Sequence, residues 1–360
     1  MRVPPDVTKC VCFLSVKVKN KSGVIDDHFI GTGFYVAVTT KHSAYYYLVT
    51  AWHILKQARE RGYSQFYVRL NYQQGGSEVI PIGDNWVYPD NPAIDIAVLP
   101  HSPHGDIFDH MAIPIESFIK ADDDGYYGNF QTSKGEDKKS VIGIGDELLI
   151  TGLFNRHWGH QRNMPIVREG MIAAMPDKFE EWHKNSEEEN AEEECFYYDA
   201  YLVEMRSIGG LSGSPVFALK TEINRYTGPP LDLPLTSTLA FLLGIIRGHW
   251  SLNKQNEADA NFTNGEDKEH QEGEEDDERD RLNIGIAQVT PISDVLNLIN
   301  GDELMKQREE NDRKQATKHK LTLDVNLPKK QSESSGITQE GFTDALKRAS
   351  RKIEQDEEKQ

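Results

Sequence analysis

Along the first 250 residues, apolar side chains gather in short runs with turn-forming residues between them. The runs are CVCFLSVKV, FIGTGFYVAV, AYYYLVTA, FYVRL, DIAVLP, DELLITGLF, PIVREGMIAAM, CFYYDAYLVEM, SPVFAL and AFLLGIIRG; another, NIGIAQVT, lies near residue 285. They are rich in β-branched and aromatic residues, and no long helical pattern separates them. This spacing predicts an all-β fold, an antiparallel barrel or sandwich rather than an alternating α/β chain. One helix of the body stands out in PISDVLNLIN, where Pro291 precedes a Ser293 cap and Val295, Leu296 and Leu298 form an apolar stripe.

Two polar stretches interrupt the strands. DKFEEWHKNSEEENAEEE (177–194) and the acidic segment 253–280 carry few large apolar residues, and both are expected to be surface loops, the second disordered. After residue 301 the pattern is that of a linker until GITQEGFTDALKRASRKIEQ, where Phe342, Leu346, Ala349 and Ile353 share one face of a helix.

Charge narrows the possible partners. The 360 residues carry a net charge of −18, which argues against general binding to nucleic acid or an anionic membrane. No apolar core of signal-peptide type and no run of membrane-spanning length is found. Cys10, Cys12 and Cys195 are the three cysteines, an odd number with two of them on one strand. That is a poor disulfide framework, and cytoplasm is the expected compartment.

Candidate chemistry sits in three of the apolar settings. YYLVTAWHIL presents His53 just beyond a strand, and PAIDIAVLP presents Asp95 at the mouth of another. A carboxylate buried there needs a partner such as an imidazole N–H. GGLSGSPVF (209–217) holds Ser212 among glycines that let the backbone take unusual conformations and approach closely. A serine in such a run is either a tight-turn residue or a nucleophile.

In the order His53, Asp95, Ser212, the stretches LVTAWH, DIAVL and GLSGSP resemble the motifs of trypsin-like (chymotrypsin-fold) serine peptidases, especially bacterial intracellular and HtrA-type catalytic domains. GTGFYV, GIIRG and NIGIAQVTPI are similar to further strands of that family, so the resemblance covers about residues 8–300. It implies two perpendicular six-stranded antiparallel β-barrels with a C-terminal helix, followed by a charged, partly disordered tail. Residues 1–130 would form the first barrel with His53 and Asp95, and 131–300 the second with Ser212; 301–360 would be linker and short amphipathic helix. The implied activity is endopeptidase hydrolysis of a polypeptide through an acyl-enzyme, with His53 as base, Asp95 as its orienting acid and Ser212 as nucleophile. Gly210 and Ser212 would supply the oxyanion-hole N–H groups. No cofactor and no metal are implied. The alternative is a latent or inactive module of the same fold that binds a peptide or protein partner.

Departures from the pattern are visible. Leu211 stands where activated digestive enzymes carry an aspartate, Trp52 replaces a small residue before the histidine, and no PDZ-like domain follows. By the resemblance, Arg206 would lie at the base of the primary pocket, with Gly248 and Gly285 in its walls and Arg247 adding to its field. Such a pocket would favour an acidic residue before the scissile bond. His157 and His160 are spaced three apart but flanked by Arg156 and Arg162, which repel a cation, so a loop at the cleft mouth is the better reading. The apolar face of the tail helix is a candidate docking site for a protein partner.

Overall fold

The computed structural model describes residues 5–20, 22–131, 136–154, 157–184, 193–205, 210–219, 240–253, 262–263 and 281–326. The chain divides into two compact units, Met1–Asp312 and Arg313–Gln360. Strands dominate the first, and each of the apolar runs quoted above becomes one.

The N-terminal sheet is built from β1 (Val11–Lys19), β2 (Ile25–Thr39), β3 (Ala44–Thr50), β4 (Tyr67–Asn71), β5 (Ser77–Pro81) and β6 (Ala97–Pro100), in the order β5–β4–β1–β2–β3–β6, with β7 (Ile113–Pro114) beside β2. The period of two decides which core each side chain enters. Phe34 and Val36 join one buried cluster, while Tyr35 between them joins another with Cys12, Leu14 and Leu48. Cys10 and Cys12 are both buried and unbridged. A three-stranded sheet follows, β8 (Lys120–Asp122), β9 (Gly125–Gln131) and β10 (Asp137–Ile142), so it straddles the boundary expected at residue 130.

The last sheet contains β11 (Glu147–Gly152), β12 (Ile166–Lys184), β13 (Glu193–Glu204), β14 (Pro215–Leu219), β15 (Ala240–Asn253), β16 (Phe262–Thr263) and β17 (Arg281–Pro291). Its pairings run β14–β11–β12–β13–β17–β15, and β15 pairs again with β14. The largest core cluster takes Phe34, Val36 and Val49 from the first sheet and Leu149, Phe217, Leu242 and Val289 from the last, so the two share a buried junction.

Four expectations are corrected. Residues 177–184 and 193–194 are strand rather than loop, paired as the outer part of a long β12–β13 hairpin. The polar sequence is tolerated because alternate residues still put Phe179 and Phe196 on one face, packed against Ala93 and Ile94. A helix missed in the sequence, α2 (Trp52–Glu60; α1 is Pro5–Lys9), follows β3 directly and buries Ile54, Leu55 and Ala58. In α3 (Ile292–Ile299) the cap position is Pro291 and not Ser293, which lies inside the first turn, exposed. Residues after 301 do not begin a linker: α4 spans Asp302–Asn326. Its first turns are held by Arg308, whose Nη1 donates to Tyr47 Oη (2.8 Å) and to the Ile299 carbonyl (2.6 Å). Most of segment 253–280 and the tail helix near 338–354 lie outside the described residues.

Candidate active site

The register of two strands brings the first two candidates together. β3 and β6 are antiparallel with Thr50 opposite Ala97, so the residues just after β3 and just before β6 emerge at the same edge. Ala51 is extended and offers no side-chain cap, and α2 starts at Trp52. A helix start leaves backbone N–H groups without acceptors. Asp95 fills that gap from across the edge: Oδ1 accepts from the His53 backbone N–H at 2.7 Å, while Oδ2 lies 2.6 Å from His53 Nδ1. One carboxylate thereby caps the helix and orients the imidazole it carries. Asp95 is 6% exposed. Burial by itself would raise its pKa, but the His53 imidazole and backbone N–H, with the Arg247 charge behind it, hold the carboxyl below its ordinary value.

Ser212 arrives from the other sheet on a turn ahead of β14. Ser214 N–H donates to Leu211 O (2.9 Å) to close it, and Gly213 N–H to Ile246 O (3.0 Å) ties it to β15. Gly210 and Gly213 have φ of 97° and 78°, a region open to glycine at little cost. Gly213 also has no room for a side chain, since a Cβ there would lie 2.2 Å from Thr32 O and 2.6 Å from Thr50 Oγ1. The Ser212 turn therefore lies directly on Thr50 and Ala51, the residues that lead into His53.

Two buried threonines fasten this junction. Thr32 N–H donates to Ser212 O at 3.1 Å, its hydroxyl donates to Gly210 O at 2.9 Å, and the same oxygen accepts from Leu153 N–H at 2.7 Å. Thr50 Oγ1 donates to Thr32 O at 2.8 Å. Neither was singled out in the sequence, although a hydroxyl inside each of two apolar runs, GTGFYV and YYLVT, was a usable signal. Among the described residues no hydrogen bond engages the N–H of Gly210 or of Ser212. Among the same residues no hydrogen bond joins Ser212 Oγ to His53 Nε2. Ser214 is a different case: it is fully buried, its hydroxyl has no partner, and it packs against Gly152.

Leu211 is buried in the main core, and Trp52 packs on Tyr88 with ring centroids 4.1 Å apart. Arg206 lies outside the described residues. Gly248 pairs with Gln288, and Gly285, at φ 81°, accepts from Met205 N–H at 2.7 Å. Arg247 is 2% exposed and turned inward, bonded to the Ala93 carbonyl and Glu181, with its guanidinium 3.9 Å from the Tyr198 ring centre. The segment with His157 and His160 is held on β4 by Arg69, which donates to Gly159 O (2.7 Å) and His160 O (2.9 Å). Among the described residues no group of three or more His, Cys, Asp or Glu is placed to hold a metal, and no helix is long and apolar enough to cross a membrane.

No protein-family model matches the chain, and no curated protein does. Among solved structures it is similar to the active form of the Rv3671c protease from M. tuberculosis, at 12% identity over 82% of this chain and 81% of that one, TM-score 0.37. It is also similar to Deg5, at 14% identity over 59% of this chain and 76% of that one, TM-score 0.34.

Proposed function

We propose that this chain is a serine endopeptidase of trypsin-like fold, with Ser212, His53 and Asp95 as its triad. The observation that carries the reading is the double engagement of His53 by Asp95 beside a glycine-bearing turn that delivers Ser212 from the other sheet. The fold part of the proposal is two six-stranded barrels over 1–130 and 131–300, and the second of them is supported by the pairings of the last sheet, which return from β15 to β14.

In this reading Ser212 Oγ attacks the scissile carbonyl and its proton passes to His53 Nε2. The carbonyl oxygen becomes an oxyanion held by the N–H groups of Gly210 and Ser212. His53 then gives its proton to the leaving amine, and an ester to Ser212 remains. Water attacks that ester with His53 again as base, which releases the acid and restores the serine. Asp95 keeps Nδ1 protonated throughout and offsets the imidazolium charge. Because Arg247 is engaged inside the protein, a preference for an acidic residue before the scissile bond would rest on Arg206.

A latent module is the second reading, favoured by the absent Ser212–His53 hydrogen bond, although such bonds are often long without substrate. A fluorophosphonate probe separates the two. Labelling of Ser212 that disappears in Ser212→Ala supports the enzyme; no labelling of the full chain, with or without peptide, rejects it.

A further inference from the structure

Among the described residues the outer part of the β12–β13 hairpin pairs with no other strand, yet its inner face is not bare. Among the described residues, Tyr201–Glu204 of β13 pair with β17, and those before them pair with β12 alone. Phe179, Tyr198, Ala200 and Phe196 of that inner face form a small apolar cluster with Ala93 and Ile94, the two residues ahead of Asp95. Asn91 Nδ2 donates to Tyr197 O at 2.7 Å, and Asn91 Oδ1 accepts from Ala93 N–H at 3.0 Å, tying the same segment to the hairpin and to itself. Arg247 threads between them. It donates to the Ala93 carbonyl with one nitrogen and to Glu181 of the hairpin with another, while lying over the Tyr198 ring. His183 stands 3.1 Å from the other Glu181 oxygen, on the same face.

We propose that this hairpin is a brace for Asp95, the carboxylate that orients His53, with Arg247 as its latch and Glu181 and Asn91 as its fastenings. The inference rests on the triad reading above and assigns Arg247 to positioning rather than to substrate. A guanidinium buried to 2% exposure is tolerated only with its partners in place, so the places of Ala93, Glu181 and Tyr198 are set together. Ala93 is two residues from Asp95, and a shift there moves the carboxylate that orients His53. The Arg247 charge also lowers the Asp95 pKa, which keeps the acid ionised. Release of the hairpin would therefore reduce turnover without touching substrate.

The test measures peptide turnover by the full chain with Arg247→Met, Asp95→Asn and the double variant. Arg247→Met should lower kcat by about 10²-fold with KM little changed, as expected for a misplaced catalytic group. In the Asp95→Asn background it should cost little more, because the two act through one step. Equal losses in both backgrounds, or a loss confined to KM for acidic peptides, overturns the brace. Asn91→Ala loosens the same contact from its outer side and should lower kcat several-fold; it serves if Arg247→Met does not fold, and unchanged turnover there counts against the proposal. The low-field imidazole N–H proton signal of the His53–Asp95 bond is read in parallel. Its loss or broadening in folded Arg247→Met or Asn91→Ala supports the brace, and an unchanged signal rejects it. This readout does not need activity, so a wild-type chain that fails to label with fluorophosphonate rejects the peptidase reading while the brace is still tested.

Discussion

Gly213→Ala is the most direct probe of the junction that holds the Ser212 turn. The substitution has two costs that can be separated. At φ 78° an alanine pays the left-handed penalty, roughly 1–2 kcal/mol. Its Cβ would also lie 2.2 Å from Thr32 O, 2.6 Å from Thr50 Oγ1 and 3.1 Å from Ala51 N. Two of those are backbone atoms, one in β2 and one at the junction of β3 and α2, and cannot swing away, so overpacking adds about 1–3 kcal/mol. The sum is about 2–5 kcal/mol. Gly62→Ala is the matched control, since Gly62 has φ 88° with nothing within 4 Å of a Cβ, and only the first cost applies. Denaturant midpoints compared at equal slope give the stability difference. Fluorophosphonate labelling gives the effect on Ser212, which we expect to fall sharply in Gly213→Ala and to stay unchanged in Gly62→Ala. If Gly213→Ala is no less stable than Gly62→Ala and labels at the wild-type rate, the close approach of turn and β3 does not exist as described.

Other expectations follow from the same contacts. Ser212→Ala and His53→Ala should each remove on the order of 10⁶ of peptide turnover, and Asp95→Asn about 10⁴, with folding retained; Ser214→Ala should leave labelling intact, and the opposite pattern would move the nucleophile to position 214. Asp294 is raised from 3.8 to about 6 by burial first and by Asp199 second. A raised carboxyl contributes its stability fully below pH 3.8 and loses it as pH passes about 6. Asp294→Asn should therefore gain roughly 1–3 kcal/mol over wild type near pH 8 and little near pH 4, measured by melts at both. Arg308→Ala leaves the Tyr47 hydroxyl and the Ile299 carbonyl without their donor and should cost about 2–4 kcal/mol in a melt.

The strand runs and the glycine turn around Ser212 were legible in the sequence because both signals are local. A period of two marks a half-buried strand wherever it occurs, and glycines around a serine announce an unusual turn within a few residues. Where local pattern and environment disagreed, the sequence misled. Residues 177–184 look like an acidic loop, and become strand because Phe179 and its alternates find Ala93 and Ile94 to cover. Ser293 looks like a cap, but β17 runs to Pro291 and the helix starts two residues too early for it.

What only the tertiary structure decided is the set of contacts between chain segments far apart. The pairing of Thr50 with Ala97 puts His53 and Asp95 at one edge, and no property of either strand alone requires that register. Thr32 becomes the fastening of the Ser212 turn through the Gly210 carbonyl oxygen 178 residues away in sequence, and Thr50 in turn bonds the Thr32 carbonyl. Arg247 reads in the sequence as a cation available to a substrate. In the fold it is buried between the hairpin and the Asp95 segment, because an ion enters a protein interior only where opposite charge and carbonyl oxygen already wait for it. Residue type and order thus determined which chemistry was available, while strand register and burial decided which groups meet and which are already engaged.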